Sequence, residues 1–251
     1  MSGVKPSAIA AQRPLLAELI GTAVLVTVVV GSGIAAARLS PLDSCLQLLE
    51  NSTATVFGLA VLILLFGPVS GGHFNPVISA VDWLLARGPA NGLSAAGVAT
   101  YAAAQLTGAV LGALLANIMF DLPALQVSGK DRISLGHGLG ELVATAGLVL
   151  LVFALARTGR AALSAAAVGA YIGAAYWFTS STSFANPAVT IGRIFSDTFA
   201  GLAPTSALFF VAAQLVGGLL GLGLIRFFFP DAPVTAGRAV VPHPNRLSEE
   251  S

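Results

Sequence analysis

One seven-residue pattern, met twice, limits what this chain can become. Gly71-Gly72-His73-Phe74-Asn75-Pro76-Val77 follows one long apolar run, and Ser183-Phe184-Ala185-Asn186-Pro187-Ala188-Val189 follows another. Asn directly ahead of Pro marks a helix start, because the Asn side chain accepts from free amides and Pro at the first helical position gives up no useful donor. A helix that starts part-way through an apolar layer leaves up to four amides without partners. A membrane tolerates this only where that helix end lines a water-filled cavity. One isolated Asn-Pro reads as an ordinary turn between helices. Two copies in matching places predict two half-helices meeting at a pore.

The apolar layer is itself legible. Of 251 residues, 56% are hydrophobic and 9% charged, where a soluble domain carries about 25% charged residues. The chain is therefore expected in a membrane. A net charge of +1 supplies no field for nucleic acid or for strongly charged partners. The one cysteine, Cys45, excludes an internal disulfide and a multi-cysteine metal cluster, and it reads as a bystander.

Segments near 15–37, 48–67, 93–120, 139–156, 161–179 and 205–229 are apolar for about 20 residues, long enough to span a bilayer. The expected fold is an all-α membrane protein with six spans and two half-spans. Residues 1–13 are polar, with no small-residue cleavage site before the first span, and are expected to be a short cytoplasmic segment. Residues 231–251 hold prolines and charges and are expected to be a flexible cytoplasmic tail. With both termini inside, the cytoplasmic side receives Lys5, Arg13, Arg87, Arg157, Arg160, Arg226, Arg238 and Arg246, and the outside only Arg38, Lys130, Arg132 and Arg193. That bias favours cytoplasmic termini in the cell (inner) membrane.

The channel domain, 14–230, contains an internal repeat, about 14–120 and 137–230. Ala17-Glu18-Leu19-Ile20-Gly21-Thr22-Ala23 is similar to Gly140-Glu141-Leu142-Val143-Ala144-Thr145-Ala146, and Ala104-Gln105-Leu106-Thr107-Gly108 to Ala213-Gln214-Leu215-Val216-Gly217. Three spans per repeat is an odd number, so the second copy is inverted relative to the first, an arrangement that places a site at the midplane. Small residues such as Gly108 and Gly112 have the spacing that lets membrane helices approach closely.

These residues carry a family resemblance. Duplicated Asn-Pro motifs, with Glu in the first and fourth spans, resemble the major intrinsic protein family of aquaporins and aquaglyceroporins, over about 17–218. The resemblance implies a right-handed bundle of six helices and two half-helices. A homotetramer with a pore in each subunit rests on the resemblance alone. It makes Asn75, Pro76 and Val77, with Asn186, Pro187 and Ala188, the pore motifs; Val77 stands where Ala is usual. Each Asn amide can donate to a passing oxygen, beside two half-helix ends of roughly half a positive charge each.

Glu18 and Glu141 need partners, since an ionised acid at mid-membrane costs roughly 3 kcal/mol on insertion scales. The resemblance implies that they scaffold the loops before each Asn-Pro, a reading preferred over a proton relay, with Gln105 and Gln214 in the same scaffold. The resemblance also implies that His73 supports its loop and lines the cytoplasmic half of the pore. Asp82 and Arg193, each seven residues after an Asn, are expected at the polar mouths. His137 and His243 stand apart from it, so no metal-ligand spacing emerges and neither metal nor cofactor is expected.

The family usually places an arginine immediately after the second Asn-Pro-Ala, and here that place holds Val189. Ungapped counting from the two Asn, as the resemblance implies, gives the other filter positions as Thr55, Ala174 and Ser183. A filter with neither an aromatic nor a cation is expected to be wide, with Arg193 as a possible substitute for the missing guanidinium. Thr190 stands where glycerol channels carry Asp, so the chain matches neither standard subclass. The expected function is a passive channel for water and small uncharged solutes, not an enzyme. The alternative is a proton- or ion-coupled secondary transporter of a small solute, which inverted repeats also permit; a hydrolase built on Ser70 and His73 lacks a nucleophile motif.

Overall fold

The structure, a computed structural model, describes residues 8–86 and 92–230. Its α-helices are α1 (Ala8–Leu39), α2 (Ser44–Ser70), α3 (Pro76–Leu85), α4 (Ala95–Met119), α5 (Leu135–Arg157), α6 (Ser164–Phe178), α7 (Pro187–Gly192) and α8 (Pro204–Phe228). Short 3-10 turns, Ala161–Leu163 and Arg193–Phe195, precede α6 and follow α7. All but α3 and α7 belong to segments long and apolar enough to cross a membrane. The six expected spans and two half-spans are thus present, and each half-helix begins at the Pro of its Asn-Pro. The tail, 231–251, and His243 lie outside the described residues.

Local chemistry explains the boundaries. Asp43, Ser94 and Ser134 cap α2, α4 and α5, each accepting from a backbone N–H three residues on. Gly71 ends α2 in the left-handed conformation, φ 91°, and its N–H closes on the Gly67 carbonyl. One end differs from expectation: α1 starts at Ala8, well before the apolar run. Ala8, Ala10 and Ala11 favour helix by propensity, which hydropathy does not register across Gln12, Arg13 and Pro14.

The two repeats pack alike. α1 lies against α4, and α5 against α8; α2 and α6 join the halves, and α3 and α7 each pack on both α4 and α8. The close approach is set by missing side chains. A Cβ added at Gly108 or Gly112 would sit 2.2 Å from the Leu19 carbonyl oxygen or 2.1 Å from that of Ala23. At Gly217, the counterpart on α8, it would sit 2.5 Å from the Leu142 carbonyl oxygen. Backbone carbonyls cannot move aside as flexible side chains do, so Gly112→Val is expected to destabilise the bundle by about 3 kcal/mol or more. Size-exclusion chromatography in detergent checks this; a monodisperse variant with the parent's melting temperature would show that α1 and α4 do not depend on that contact.

Candidate functional site: a pore between two half-helices

Two unusual loops deliver the half-helices. Counting back from each Asn, the residues one, three and four places earlier all have positive φ: Phe74 (47°), Gly72 (61°) and Gly71 (91°), then Ala185 (48°), Ser183 (48°) and Thr182 (61°). Left-handed backbone costs a non-glycine residue roughly 1–2 kcal/mol, so each loop needs an external clamp. The buried glutamates provide it. Glu18 accepts from Ser70 Oγ (2.6 Å) and the His73 amide (3.0 Å) on Oε1, and from the Phe74 amide (2.7 Å) and Gln105 Nε2 (2.7 Å) on Oε2. Glu141 accepts from the Phe184 amide (2.8 Å) on Oε1, and from the Ala185 amide (2.8 Å) and Gln214 Nε2 (2.6 Å) on Oε2. Both acids are fully buried and act only as acceptors.

The glutamines complete each clamp. Gln105 Nε2 also donates to Ser79 Oγ (3.1 Å) and Gln214 Nε2 to Thr190 Oγ1 (2.8 Å), and these hydroxyls donate to the carbonyls of Asn75 and Asn186. Each chain of bonds therefore runs from acid to amide to the first turn of a half-helix.

The two copies lock to each other through the asparagines. Asn75 Oδ1 accepts from the Val77 amide, and Asn186 Oδ1 from those of Ala188 and Val189. Asn75 Nδ2 donates to the Ala185 carbonyl (2.8 Å), and Asn186 Nδ2 to that of Phe74 (2.7 Å). An amide nitrogen carries two hydrogens, so each asparagine keeps one N–H beyond its cross-loop bond. Both line one cavity.

The cavity passes from His73, Gly72 and Ile63 at one end to Thr55, Tyr176, Ser183, Phe184, Val189 and Arg193 at the other. His73 Nδ1 lies 3.0 Å from Ser79 Oγ. Of the four residues expected at the filter, Thr55, Ser183 and Val189 line the cavity, and Ala174 does not. Ala174 is exposed on the outer face of α6. The cavity face of that helix is Val168, Ile172 and Tyr176, spaced by four, and Ala174 lies about 200° around from its neighbours in that row. Tyr176 occupies this stretch instead, with its hydroxyl 3.1 Å from Thr55 Oγ1. The expectation of a wall with neither an aromatic nor a cation is also corrected, since Tyr176, Phe184 and Arg193 are all present. Helical spacing on α6 was the available signal for Tyr176; ungapped counting concealed it.

Of the remaining candidates, Asp82 accepts from the Leu93 amide (2.9 Å) and so ties Leu93 to α3. His137 Nδ1 lies 2.8 Å from the Arg132 carbonyl at the start of α5. Among the described residues, no group of three His, Cys, Asp or Glu is gathered that would hold a metal.

Comparison with known proteins agrees with this geometry. The model of the major intrinsic protein family matches residues 5–184. The chain belongs to that family. Among relatives of this major intrinsic protein, the aquaglyceroporin AqpS of Rhizobium meliloti is 46% identical over 220 residues, covering 88% of this chain and 91% of the relative. Aquaporin Z of Photorhabdus laumondii is 30% identical, covering 87% and 98%. The X-ray structure of the aquaglyceroporin from Plasmodium falciparum shares the fold, with a TM-score of 0.59 at 22% identity, covering 85% of this chain and 94% of that one. Aquaporins and aquaglyceroporins are channels rather than enzymes, and the six apolar spans make this major intrinsic protein an integral membrane protein.

Proposed function

We propose that the chain is a passive pore for water and small uncharged solutes: glycerol-like polyols, urea-like solutes and neutral metalloid acids such as arsenite. We place it in the cell (inner) membrane with both termini cytoplasmic, as a homotetramer in lipid with a pore in each subunit. The observation that carries this reading is the pair of asparagine-capped half-helices, from opposite repeats, meeting on one cavity that no acid lines among the described residues. A cation about 5 Å from both helix ends meets a penalty of roughly 3 kcal/mol at an effective dielectric near 20. Neutral solutes meet none, and the spare asparagine N–H groups can replace part of their hydration. The aquaglyceroporin name of the relative at 46% identity supports solutes beyond water.

Stopped-flow light scattering on proteoliposomes tests it. Vesicles holding the protein are expected to shrink under an impermeant osmolyte and re-swell under glycerol, with rates that do not respond to a pH gradient. Uphill accumulation driven by that gradient would instead establish a coupled transporter.

A further inference from the structure

The residue after the second Asn-Pro-Ala is not a cation, yet a guanidinium reaches the same cavity from further along the chain. Arg193 follows α7, is 2% exposed and lines the cavity. Its guanidinium carbon lies 3.4 Å from the centre of the Phe184 ring, and its Nε donates to the Ala200 carbonyl. The backbone around it is pinned as well: the Leu202 amide donates to the Arg193 carbonyl (3.2 Å), and Ser196 Oγ to Asn117 Oδ1 (2.7 Å). Among the described residues, no acceptor pairs with its two Nη groups, although five N–H donors belong to a guanidinium. The neighbouring Ser183 hydroxyl, on the same cavity, is buried and without a partner too. These groups have the contents of the cavity as their remaining hydrogen-bond partner.

The surroundings reinforce the charge. Arg132 lies 5.7 Å from the centre of the same Phe184 ring. The Lys130 ammonium is held below the usual lysine pKa by its burial and by Arg132 and Arg193, against an opposing pull from Asp197. Of the acids nearby, Glu141 is occupied by the Phe184 and Ala185 amides and Gln214, and Asp131 accepts from Ser206 Oγ (2.6 Å) and the Ile133 amide (3.1 Å).

We propose that Arg193, stacked on Phe184, is the charge filter of this pore, excluding cations and donating to the oxygens of neutral solutes, while Val189 leaves the passage wide. The proposal rests on the channel reading above. Residues four apart share a helix face, about 6 Å apart along the axis, so the charge sits one turn beyond the place of the usual arginine. Size and charge are thereby separated: one residue sets the width and another the sign.

The test uses full-length protein in proteoliposomes, with glycerol flux followed by stopped flow and sodium and proton leak by internal dyes under an imposed potential. Arg193→Met is expected to raise cation leak by ~10-fold or more and, because a donor to the solute is lost, to lower glycerol flux a few-fold without closing the pore, whereas Arg193→Lys stays near the parent in both. Parent-level leak in an Arg193→Met protein that passes glycerol overturns the proposal. So does a folded Arg193→Met protein closed to glycerol, since the residue would then be structural. A parent that passes no neutral solute defeats the channel reading instead. If Arg193→Met does not fold, Ser183→Asp takes its place, because Asp tolerates the left-handed backbone found there. Its carboxylate should neutralise the guanidinium and raise leak at neutral pH, and because the guanidinium lowers the Asp pKa the effect should be released only below the usual carboxylate range; a leak at the parent level throughout overturns the proposal.

Discussion

Val189→Arg is expected to cut glycerol flux by ~10-fold or more while lowering water flux only a few-fold. Val189 sits in the first turn of α7, with its amide 3.3 Å from Asn186 Oδ1, and lines the same stretch of cavity as Thr55, Tyr176 and Ser183. An arginine there would extend a long side chain into space now bounded by Thr55, Ser183, Tyr176, Phe184 and Arg193. A polyol must pass that chain with its own width, whereas a single-file water can take hydrogen bonds from the new guanidinium. Since Arg193 already presents a guanidinium to this cavity, cation leak is expected to stay low in both parent and variant. The change should read out as size rather than charge. Unchanged glycerol permeability in a well-folded Val189→Arg protein would remove Val189 from the constriction, and with it the case for a wide pore.

The parts of this molecule that the sequence announces are those fixed by chemistry repeated at matching positions. Glu18 with Gln105 and Glu141 with Gln214 are costly to place in an apolar layer, so partners were required; the family resemblance pointed to the Asn-Pro loops, and the bonds to the Phe74 and Ala185 amides are the outcome. The six spans followed from apolar length alone. The filter was less legible, because the cavity face of α6 is the row Val168, Ile172 and Tyr176, and ungapped counting from Asn186 selects Ala174 on the opposite face. Arg193 was visible as a cation one helical turn beyond Val189, but its burial depends on Phe184 and on the Ala200 carbonyl, which the chain brings back only after the turn that follows α7. The left-handed backbone at Thr182, Ser183 and Ala185 had no local signal, since those residues ordinarily avoid it; only the glycines of the first copy hinted at the conformation.

That difference between the copies sets the last expectation, that Glu141→Gln destabilises the fold less than Glu18→Gln. Each change replaces one accepting oxygen with an NH2 group. At Glu18 the least damaging orientation puts the NH2 in place of Oε1, where the Ser70 hydroxyl can turn to the Phe66 carbonyl, its second contact at 3.4 Å, leaving only the His73 amide unpaired. At Glu141 the same orientation leaves only the Phe184 amide unpaired. The hydrogen-bond losses are therefore equal, at about 1–3 kcal/mol each, and the backbone decides. In the loop held by Glu141 all three left-handed residues carry a Cβ, against Phe74 alone in the loop held by Glu18. Weakening the Glu141 clamp lets more stored strain relax, by roughly 1–2 kcal/mol per additional residue, and this relief offsets part of the lost bond. Thermal unfolding of both variants in one detergent should give the lower melting temperature for Glu18→Gln. The reverse order would mean that the strained backbone stays in place after the clamp is weakened, so that no relief offsets the loss. A variant that keeps the parent's melting temperature but loses a pH-dependent flux would make these acids proton carriers and return the coupled transporter as the better account.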